Sequence, residues 1–501
     1  MAMATTASST ASAAALEHAL HNASRLDAKD LASAVGVGLC ARCVLRFAQI
    51  DDFSLYTLPS TEIDAVLQRV VASTGEALPE RAADAICSCC LSVLSERFHD
   101  DVHASVLRVA ENARYDVDSF TLNIKLPSAV LLREYALRHH LATVVSRLSP
   151  ATIPVDLKDI LKLLITDRVA RAMRIATCAA KSDLAVLLDV SHAETADEVR
   201  QIPAIREQLE TRGKKRHRGP PVILDGFGAV TRALSAMATP AASVVCPPTA
   251  SLASLPSCAV ALEREPVYLQ GRYLKYKRGL SQTPWVLDGE RLGESSVEEC
   301  IGDVARPFFD ASRYKFHTAG REDVDVRMLG NGRPFILELL DAKKGTLSSE
   351  ELEALQDAVN RQNDGVVEIR EVRPSTKEYF ANLQAGADSK RKTYCCVVWS
   401  ARELTPEAIA PIDAIQDLVI QQKTPVRVLH RRTLLTRPKI IHAARCEVLN
   451  AHYMLLRLTT SAGTYVKEFV HGDRGRTVPN VASLLGADAD ILQLDVESLI
   501  D

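Results

Sequence analysis

The residues with the clearest chemical potential lie in one polar run near the middle of the chain, from Gly320 to Arg327. Its order, Gly-Arg-Glu-Asp-Val-Asp-Val-Arg, puts a carboxylate directly behind an arginine and is typical of a tight polar turn. An aspartate in such a turn has the chemistry of a nucleophile toward an electron-poor carbon. Taken alone, an Arg-Glu-Asp triplet is more often an ordinary surface turn.

A second run, from Gly463 to Glu468, supplies an aromatic ring and a cation in the order Gly-Thr-Tyr-Val-Lys-Glu. Taken alone, a Gly-Thr-Tyr sequence is more often the end of a hairpin. The two runs together predict a site in which an aspartate attacks a sugar, a tyrosine packs on the substrate ring and a lysine keeps the aspartate ionised.

Both runs resemble motifs of the pseudouridine synthases. In that superfamily the catalytic aspartate lies in a Gly-Arg-x-Asp element, and a later Gly-Thr-Tyr-hydrophobic-Arg/Lys element lines the same pocket. Four further stretches resemble one branch, the archaeal and eukaryotic tRNA pseudouridine synthases that modify the T-loop. These stretches are Gly271–Tyr276, Leu280–Trp285, Gly332–Phe335 and Phe469–Asp473. The resemblance is close over roughly residues 266–501 and looser upstream.

The resemblance implies a role for the charged residues of the two runs. Asp323 matches the catalytic nucleophile, and Lys467 matches the basic residue that pairs with it. Asp325 is the weaker candidate for the nucleophile, because it would point to the opposite side if the segment is extended. The resemblance also implies a cofactor-free isomerisation of uridine to pseudouridine at T-loop position 54, 55 or both. The sequence leaves open whether the aspartate forms a sugar adduct or abstracts a sugar proton.

Three other side chains are expected to bind the substrate. Tyr465 would form the pocket wall, and Arg321 would fill the gap left in the RNA stack or hold a phosphate. Tyr394 matches a second aromatic position of the family, where its ring can stack on a flipped uracil. A tyrosine that begins an apolar strand is about as often a plain core residue, so both interpretations of Tyr394 stay open.

Two Cys-x-x-Cys pairs in the first hundred residues predict a structural zinc site. Such spacing allows paired thiolates to bind Zn²⁺ with tetrahedral geometry. The alternative is that these cysteines are ordinary core thiols in apolar helices, with Cys89 as one of them. The predicted ligands are Cys40, Cys43, Cys87 and Cys90.

Composition sets the outer limits of function. A chain of 501 residues with 47% apolar content is expected to form two or three soluble domains, without a membrane span. Its 12 cysteines and the lack of a secretory signal predict a reducing compartment. Both nucleus and cytoplasm fit, and the basic stretch 214–218 is weak evidence for nuclear import.

The net charge of −3 does not by itself favour nucleic-acid binding, but the basic residues are clustered. Any one cluster is more often a solvated face, whereas four of them predict contacts with RNA phosphates. The clusters are Arg212, Lys214, Lys215, Arg216 and Arg218; Arg272, Lys275, Lys277 and Arg278; Lys390, Arg391 and Lys392; and Arg427, Arg431, Arg432, Arg437 and Lys439.

Hydrophobic patterns predict an α+β chain. A helix is expected after Thr61, and a capping box formed by Ser348 and Glu351 predicts another. Alternating or β-rich segments predict strands at 120–126, 334–340, 394–399 and 453–459. The C-terminal part is expected to be an antiparallel sheet with flanking helices, as in the resembling family.

The predicted domain organisation has three parts. Residues 1–15 are expected to form a disordered tail, and residues 16–250 a largely helical accessory domain with zinc knuckles at 40–90. The resemblance places a THUMP-like module, which binds the acceptor end of tRNA, at about 95–245. A proline-rich linker or insertion at 238–257 then leads to the catalytic domain, residues 258–501.

Rival functions follow from the same accessory domain. THUMP-like modules also occur with methyltransferases and thiouridine synthetases, but those enzymes need a glycine-rich nucleotide loop, and the sequence has only isolated pairs such as Gly226 and Gly228. The other alternative is a catalytically silent RNA-binding or RNA-processing scaffold. The presence of both pocket runs argues against it.

Overall fold

The chain is organised as two compact units, residues 1–263 and 264–501. A computed structural model describes residues 2–23, 26–82, 84–145, 147–178, 180–203, 205–206, 226–236, 252–385, 391–430 and 432–500. Each unit combines helices with a β-sheet, which confirms the α+β class. Within these residues, the helices are too short or too polar to cross a membrane.

The first unit is mainly helical. Its helices are α1 (Ala2–Asn22), α2 (Ala28–Gly36), α3 (Ala41–Phe47), α4 (Ser60–Ala72), α5 (Glu96–Asn112), α6 (Ala129–Val144), α7 (Leu157–Met173), α8 (Glu198–Gln201) and α9 (Phe227–Ser235). Helix α4 confirms the helix expected after Thr61, because Ile63, Val66 and Val70 on its apolar face are buried. A large core formed by α1 to α7 and the adjoining strands holds most of this unit together, and a second, smaller cluster packs α6 against α8 and α9.

A small sheet completes the first unit. Its strands are β1 (Ser119–Lys125), β2 (Ala176–Thr177), β3 (Leu184–Ser191) and β4 (Ser257–Arg264), in the order β2-β1-β3-β4. Strand β1 lies within one residue of the predicted segment and pairs in parallel with both β2 and β3. Parallel neighbours require crossover connections, and helices α6 and α7 supply them between β1 and β2.

Two boundaries of the first unit differ from the sequence prediction. Helix α1 starts at Ala2, within the stretch 1–15 that the sequence predicts to be a disordered tail. That stretch is rich in alanine, the residue with the highest intrinsic helix propensity. The start of the second unit also lies later than residue 258, because Cys258, Val260 and Leu262 of β4 pack on the core of the first unit.

The second unit is built on a large sheet. Its strands are β5 (Val267–Lys275), β8 (Arg313–Thr318), β9 (Arg327–Leu340), β10 (Val367–Ser375), β11 (Arg391–Ser400), β12 (Gln416–Lys423), β13 (Thr436–Asn450), β14 (Tyr453–Thr460), β15 (Thr477–Val478) and β16 (Ala489–Ile500). A separate short hairpin is formed by β6 (Val286–Leu287) and β7 (Glu290–Arg291). The three strands predicted in this half, at 334–340, 394–399 and 453–459, lie within β9, β11 and β14.

The large sheet is antiparallel except at its centre. Its strand order is β10-β5-β9-β16-β11-β14-β13-β12-β15, with β8 added beside β9. Strands β9 and β16 pair in parallel through Arg327 and Met328, which join two antiparallel halves. Alternate side chains such as Met454, Leu456 and Leu458 are buried, as expected for a sheet with one face on the core.

The helices of the second unit flank this sheet. They are α10 (Val297–Phe308), α11 (Ser349–Gln362), α12 (Lys377–Ala385), α13 (Pro406–Asp413), α14 (Val466–His471) and α15 (Val481–Leu485). Leu355 and Val359 of α11 enter the sheet core. The sheet and its helices therefore match the architecture expected for the C-terminal part.

Some predictions concern residues outside the described part of the chain. The basic cluster 212–218, Lys390, Arg431 and most of the proline-rich stretch 238–257 belong to this group. The THUMP-like module predicted at about 95–245 also includes residues that the structure does not describe, and it stays a prediction.

The capping box of helix α11 gives a test of local stability. Ser348 Oγ accepts a hydrogen bond from the Glu351 amide at 3.2 Å, and Glu351 Oε2 accepts one from the Ser348 amide at 2.9 Å. Ser348→Ala should destabilise the second unit by about 1 kcal/mol, seen as a fall of about 2–4 °C in its melting temperature. Ser349→Ala, one residue inside the helix, is the matched control and should cause no fall. Equal melting temperatures for the two variants would contradict the capping role.

Candidate active site and metal centre

A turn between strands β8 and β9 carries Asp323. The turn begins at Gly320, whose φ of 92° lies in the left-handed region that favours glycine. A Cβ atom there would also lie 3.1 Å from Arg333 Nη1. The chain then closes through a hydrogen bond of 3.0 Å from the Val326 amide to the Asp323 carbonyl. Asp323 thus lies at the tip of a tight turn, with 39% of its side-chain surface exposed.

A buried network fixes the turn through Glu322. The Glu322 carboxylate accepts hydrogen bonds from Tyr273 Oη at 2.9 Å and from Arg333 Nε at 3.0 Å. Gln282 Nε2 donates to Tyr273 Oη at 2.8 Å and to the Gly320 carbonyl at 3.2 Å. Burial, reinforced by the charge of Glu322, raises the pKa of the Tyr273 phenol well above its usual value. The phenol therefore stays protonated and continues to donate to the carboxylate.

Lys275 holds the backbone of the same turn. Its side chain is fully buried, and Nζ donates to the carbonyls of Leu280 at 2.8 Å, Asp323 at 3.1 Å and Val324 at 3.3 Å. Burial lowers the pKa of this ammonium group, while the nearby carboxylates of Glu322 and the turn oppose that shift. The buried lysine therefore fixes the backbone of the turn that carries the exposed Asp323 side chain.

The second motif forms the start of helix α14. Gln422 on strand β12 makes two hydrogen bonds of 2.9 Å to the backbone of Tyr465. Its Oε1 accepts from the Tyr465 amide, and its Nε2 donates to the Tyr465 carbonyl. Gly463 has a φ of 71°, which lets the chain turn sharply before the helix. Lys467 lies in the first turn of α14 and reaches the Asp323 turn.

Among the residues that the structure describes, two cations contact the Asp323 carboxylate. Arg427 Nη1 lies 3.1 Å from Asp323 Oδ2, and Lys467 Nζ lies 3.5 Å from the same oxygen. Lys467 makes its shorter contacts with Asp325, at 2.9 Å to Oδ1 and 2.7 Å to Oδ2. Burial works to raise the pKa of Asp325, but the hydrogen bonds and charge of Lys467 outweigh it and leave that pKa below its usual value.

This arrangement corrects one sequence prediction. Asp325 was expected to point away from Asp323, as alternate residues do in an extended strand. Residues 321–326 instead form a turn, so both carboxylates reach Lys467.

The predicted substrate-binding residues occupy different settings. Tyr465 is half-buried, and its ring centroid lies 5.9 Å from Arg427 Cζ, within the range of a cation–π contact. Tyr394 on β11 packs against the sheet core, and burial raises its pKa to about 12. Arg321 is exposed, without a hydrogen bond or ion pair to any described residue. The structure therefore brings Tyr465 to the carboxylate cluster, while Arg321 is open to solvent beside it.

Several residues of the predicted phosphate-binding clusters have structural contacts instead. Lys275 is buried beneath the turn, and Arg278 donates to the Asp325 carbonyl at 2.8 Å and to Asp495 Oδ1 at 2.6 Å. Arg427 faces Asp323. Phosphate binding by Lys275 was therefore a wrong prediction. Charge pattern alone does not indicate which basic side chains fold back onto backbone carbonyls and carboxylates.

Sequence reasoning also missed the roles of Glu322, Arg333 and Tyr273. Glu322 was treated as part of a surface turn, yet it is almost fully buried. The available signal was the presence of Tyr273, Gln282 and Arg333 in the stretches that carry the family resemblance. Those stretches proved to supply the frame of the turn.

The predicted zinc ligands converge in the first unit. The Sγ atoms of Cys40, Cys43, Cys87 and Cys90 all lie within 4.8 Å of one another. A tetrahedral ion with Zn–S bonds of about 2.3 Å requires sulfurs about 3.8 Å apart. The Cys40 and Cys90 sulfurs are separated by 3.8 Å, so this pair fits that geometry.

The surroundings of the cluster also suit a cation bound by thiolates. Burial raises the pKa of the Cys43 and Cys90 thiols well above their usual value, which means that ionising them is costly. A bound metal ion would offset the cost of ionisation, because it binds the thiolate form. Arg46, fully buried, points Nη1 toward Cys43 Sγ at 3.6 Å and Cys89 Sγ at 3.8 Å, and it pairs with Glu134. Cys89 lies near the four clustered cysteines but is not part of the cluster.

Comparison with known proteins covers both units. The family model described as "Pus10, C-terminal" matches residues 268–501, and the one described as "Eukaryotic Pus10, N-terminal" matches residues 87–257. A Xenopus laevis protein named "tRNA pseudouridine synthase Pus10" is 33% identical, over 92% of this chain and 95% of its own length. The Homo sapiens protein of the same name is 31% identical, over 93% and 95%. The Thermofilum pendens protein of that name is 38% identical, over 50% of this chain and 56% of its own length.

The matched regions contain the turn of Asp323, the helix start at Tyr465 and two of the four clustered cysteines. With relatives above 30% identity along nearly the whole chain, the chain belongs to the Pus10 family.

Proposed function

We propose that this protein is a tRNA pseudouridine synthase, an isomerase that converts uridine to pseudouridine. The observation that carries the proposal is the Asp323 carboxylate, half-exposed and flanked by Arg427 and Lys467. The printed names of its full-length relatives support the same activity. The buried frame of Glu322 and Lys275 explains how the aspartate keeps its position.

The isomerisation of uridine can be carried out with a carboxylate such as Asp323. The bond between the sugar C1′ and uracil N1 breaks, the base turns while bound, and uracil C5 forms the new bond to C1′. One proton leaves C5 and one is gained at N1, so atoms and electrons balance without a cofactor. An ionised carboxylate assists as the sugar carbon becomes electron-poor, either by forming a transient adduct whose bond to C1′ breaks as C5 attaches, or by removing a sugar proton that it later returns.

The neighbouring side chains have supporting roles in this proposal. The Tyr465 and Tyr394 rings stack on or beside the flipped uracil. Arg321, open to solvent beside the catalytic turn, fills the gap in the RNA stack or holds a phosphate. Asp323 is the only one of these residues to which bond-making chemistry is assigned.

The proposed substrate region is the T-loop, with contacts that extend to the acceptor end of the tRNA. The family resemblance of both units supports this extended interface. The four clustered cysteines are proposed to bind one Zn²⁺, which closes a loop between residues 40 and 90 of the first unit. Four thiolates leave no open coordination position, so this ion is structural.

Asp323→Asn tests the catalytic assignment. The substitution removes the charge but keeps the shape, so pseudouridine formation should fall by at least about 1,000-fold while tRNA affinity changes little. Pseudouridine mapping of an unmodified tRNA transcript, together with filter binding, measures the two effects. Asp325→Asn is the matched control and should cause a milder loss. Activity of Asp323→Asn within tenfold of wild type would overturn the assignment, and an inactive wild type would favour a silent RNA-binding scaffold.

The zinc site is tested by elemental analysis of protein purified without chelator. We expect about one zinc ion per chain, lost in a Cys40→Ser/Cys87→Ser double variant together with the fold of the first unit, because a structural zinc site contributes directly to folding. Cys89→Ser, which changes a buried cysteine next to the cluster, should retain the metal. Zinc content near zero in wild type, or full retention in the double variant, would contradict the proposal.

The extent of the tRNA interface is tested with truncated substrates. Energy for opening the T-loop is expected to come partly from remote contacts, so whole tRNA should react at least about tenfold more efficiently than an isolated T-arm. A minihelix that joins the acceptor stem to the T-arm should recover most of that difference. Equal kcat/KM values for the T-arm and the minihelix would show that the acceptor end is not bound.

A further inference from the structure

A buried carboxylate lies beneath the proposed active site. Only 2% of the Glu468 side-chain surface is exposed, although its neighbour Lys467 reaches the Asp323 turn. Glu468 Oε1 accepts a hydrogen bond of 2.7 Å from Arg427 Nε. Within the described residues this is the one hydrogen bond to the Glu468 carboxylate, and Oε2 is buried without a partner. A buried charge of this kind strongly favours keeping its only cation in place.

The other end of the same guanidinium contacts the proposed nucleophile. Arg427 Nη1 lies 3.1 Å from Asp323 Oδ2, while Nε remains on Glu468. The guanidinium also lies over the Tyr465 ring. Burial works to lower the pKa of Arg427, but Glu468 and then Asp323 outweigh it and raise that pKa, so the group stays charged. Arg427 is therefore held by a buried carboxylate on one side and presents a fixed cation to Asp323 on the other.

Lys467 is less well placed for this task. It lies 3.5 Å from Asp323 but makes two hydrogen bonds of 2.7–2.9 Å to Asp325. An ammonium group is a compact point charge, whereas a guanidinium can bind two carboxylates at once with fixed geometry. The contact distances thus favour Arg427 over Lys467 as the main partner of the Asp323 carboxylate.

We propose that Arg427 is a positioning residue for Asp323, anchored by the buried carboxylate of Glu468, and that Lys467 serves mainly to hold Asp325. The proposal rests on the proposed function, because it describes how the catalytic aspartate is oriented. It differs from the sequence prediction, in which Lys467 was the partner of Asp323 and Arg427 a member of a phosphate-binding cluster.

The alternative is that Arg427 binds an RNA phosphate. A guanidinium has five N–H donors, and two of its nitrogens are already engaged by carboxylates. Neutralising a phosphate would contribute to tRNA affinity and to its salt dependence. Orienting Asp323 would instead contribute to the rate after tRNA has bound. Loss of Arg427 should therefore weaken tRNA affinity if the residue binds phosphate, and should slow the reaction of bound tRNA if it orients Asp323.

The experiment measures the single-turnover rate of pseudouridine formation at saturating tRNA, and separately the tRNA dissociation constant. For Arg427→Gln we expect a rate about 100-fold lower, with a dissociation constant within about threefold of wild type. Arg427→Lys keeps the charge but loses the second contact, so it should recover part of the rate. Arg361→Gln, an exposed arginine on helix α11, is the matched control and should leave both values unchanged.

A second set of variants allows for the folding cost of an unpaired buried charge. Glu468→Gln keeps the shape of the anchor but removes its charge, and it should lower the single-turnover rate by about tenfold. In the Arg427→Gln/Glu468→Gln double variant neither charge remains, so the protein should melt close to wild type. Its rate should be no lower than that of Arg427→Gln alone, because the two residues act as one unit.

Three results would overturn the proposal. The first is a bound-state rate of Arg427→Gln, or of the double variant, within threefold of wild type. The second is a loss confined to the dissociation constant, which would assign Arg427 to RNA phosphate. The third is additive rate losses in the double variant, which would separate Glu468 from Arg427. A wild-type protein that forms no pseudouridine would overturn the proposed function itself, and this inference with it.

Discussion

The position of Asp323 depends on the buried ammonium group of Lys275. An ammonium group removed from water is costly unless each of its protons finds an acceptor, and here three backbone carbonyls accept them. Two of those carbonyls belong to Asp323 and Val324, so the lysine is satisfied only when the turn has one conformation. Asp323 is thus held through its own backbone, which leaves its side chain partly exposed.

The ion pair of Glu322 and Arg333 applies the same constraint from the other side of the turn. Its two side chains are almost fully buried, and Tyr273 and Gln282 supply further hydrogen bonds. Removing one partner of such a pair typically costs about 3–5 kcal/mol, because the other charge is left buried and unpaired. Buried pairs of this kind are weak evidence for stability. Here the pair, with the hydrogen bonds of Tyr273 and Gln282, favours one arrangement of the turn, as preorganisation of the proposed site requires.

The charged side chains around Asp323 come from three separate segments of the chain. The carboxylates of Asp323, Asp325 and Glu468 compete for the cations of Arg427 and Lys467. Because these residues come from the β8–β9 turn, the segment after β12 and helix α14, a shift of any one segment changes the pairing of the others. In the first unit the cross-link would be a metal ion, because four cysteine sulfurs lie within 4.8 Å of one another and could bind one.

The sequence by itself determined the elements with strong local signals. Apolar spacing in helix α4, the capping box of α11 and the β-rich runs of β9, β11 and β14 are properties of neighbouring residues, and they identified these elements correctly. The two short motifs predicted one site for Asp323 and Lys467, which do lie 3.5 Å apart, and the Cys-x-x-Cys spacing predicted four cysteines that do converge. Only the tertiary structure decided which cation lies beside which carboxylate. Glu468, Arg427 and Asp323 are far apart in sequence, and their contacts depend on how strand β12, helix α14 and the β8–β9 turn pack together. The burial of Lys275 and Glu322 was decided in the same way, because a charged residue in a polar stretch has the same local sequence pattern whether it faces solvent or satisfies a distant backbone.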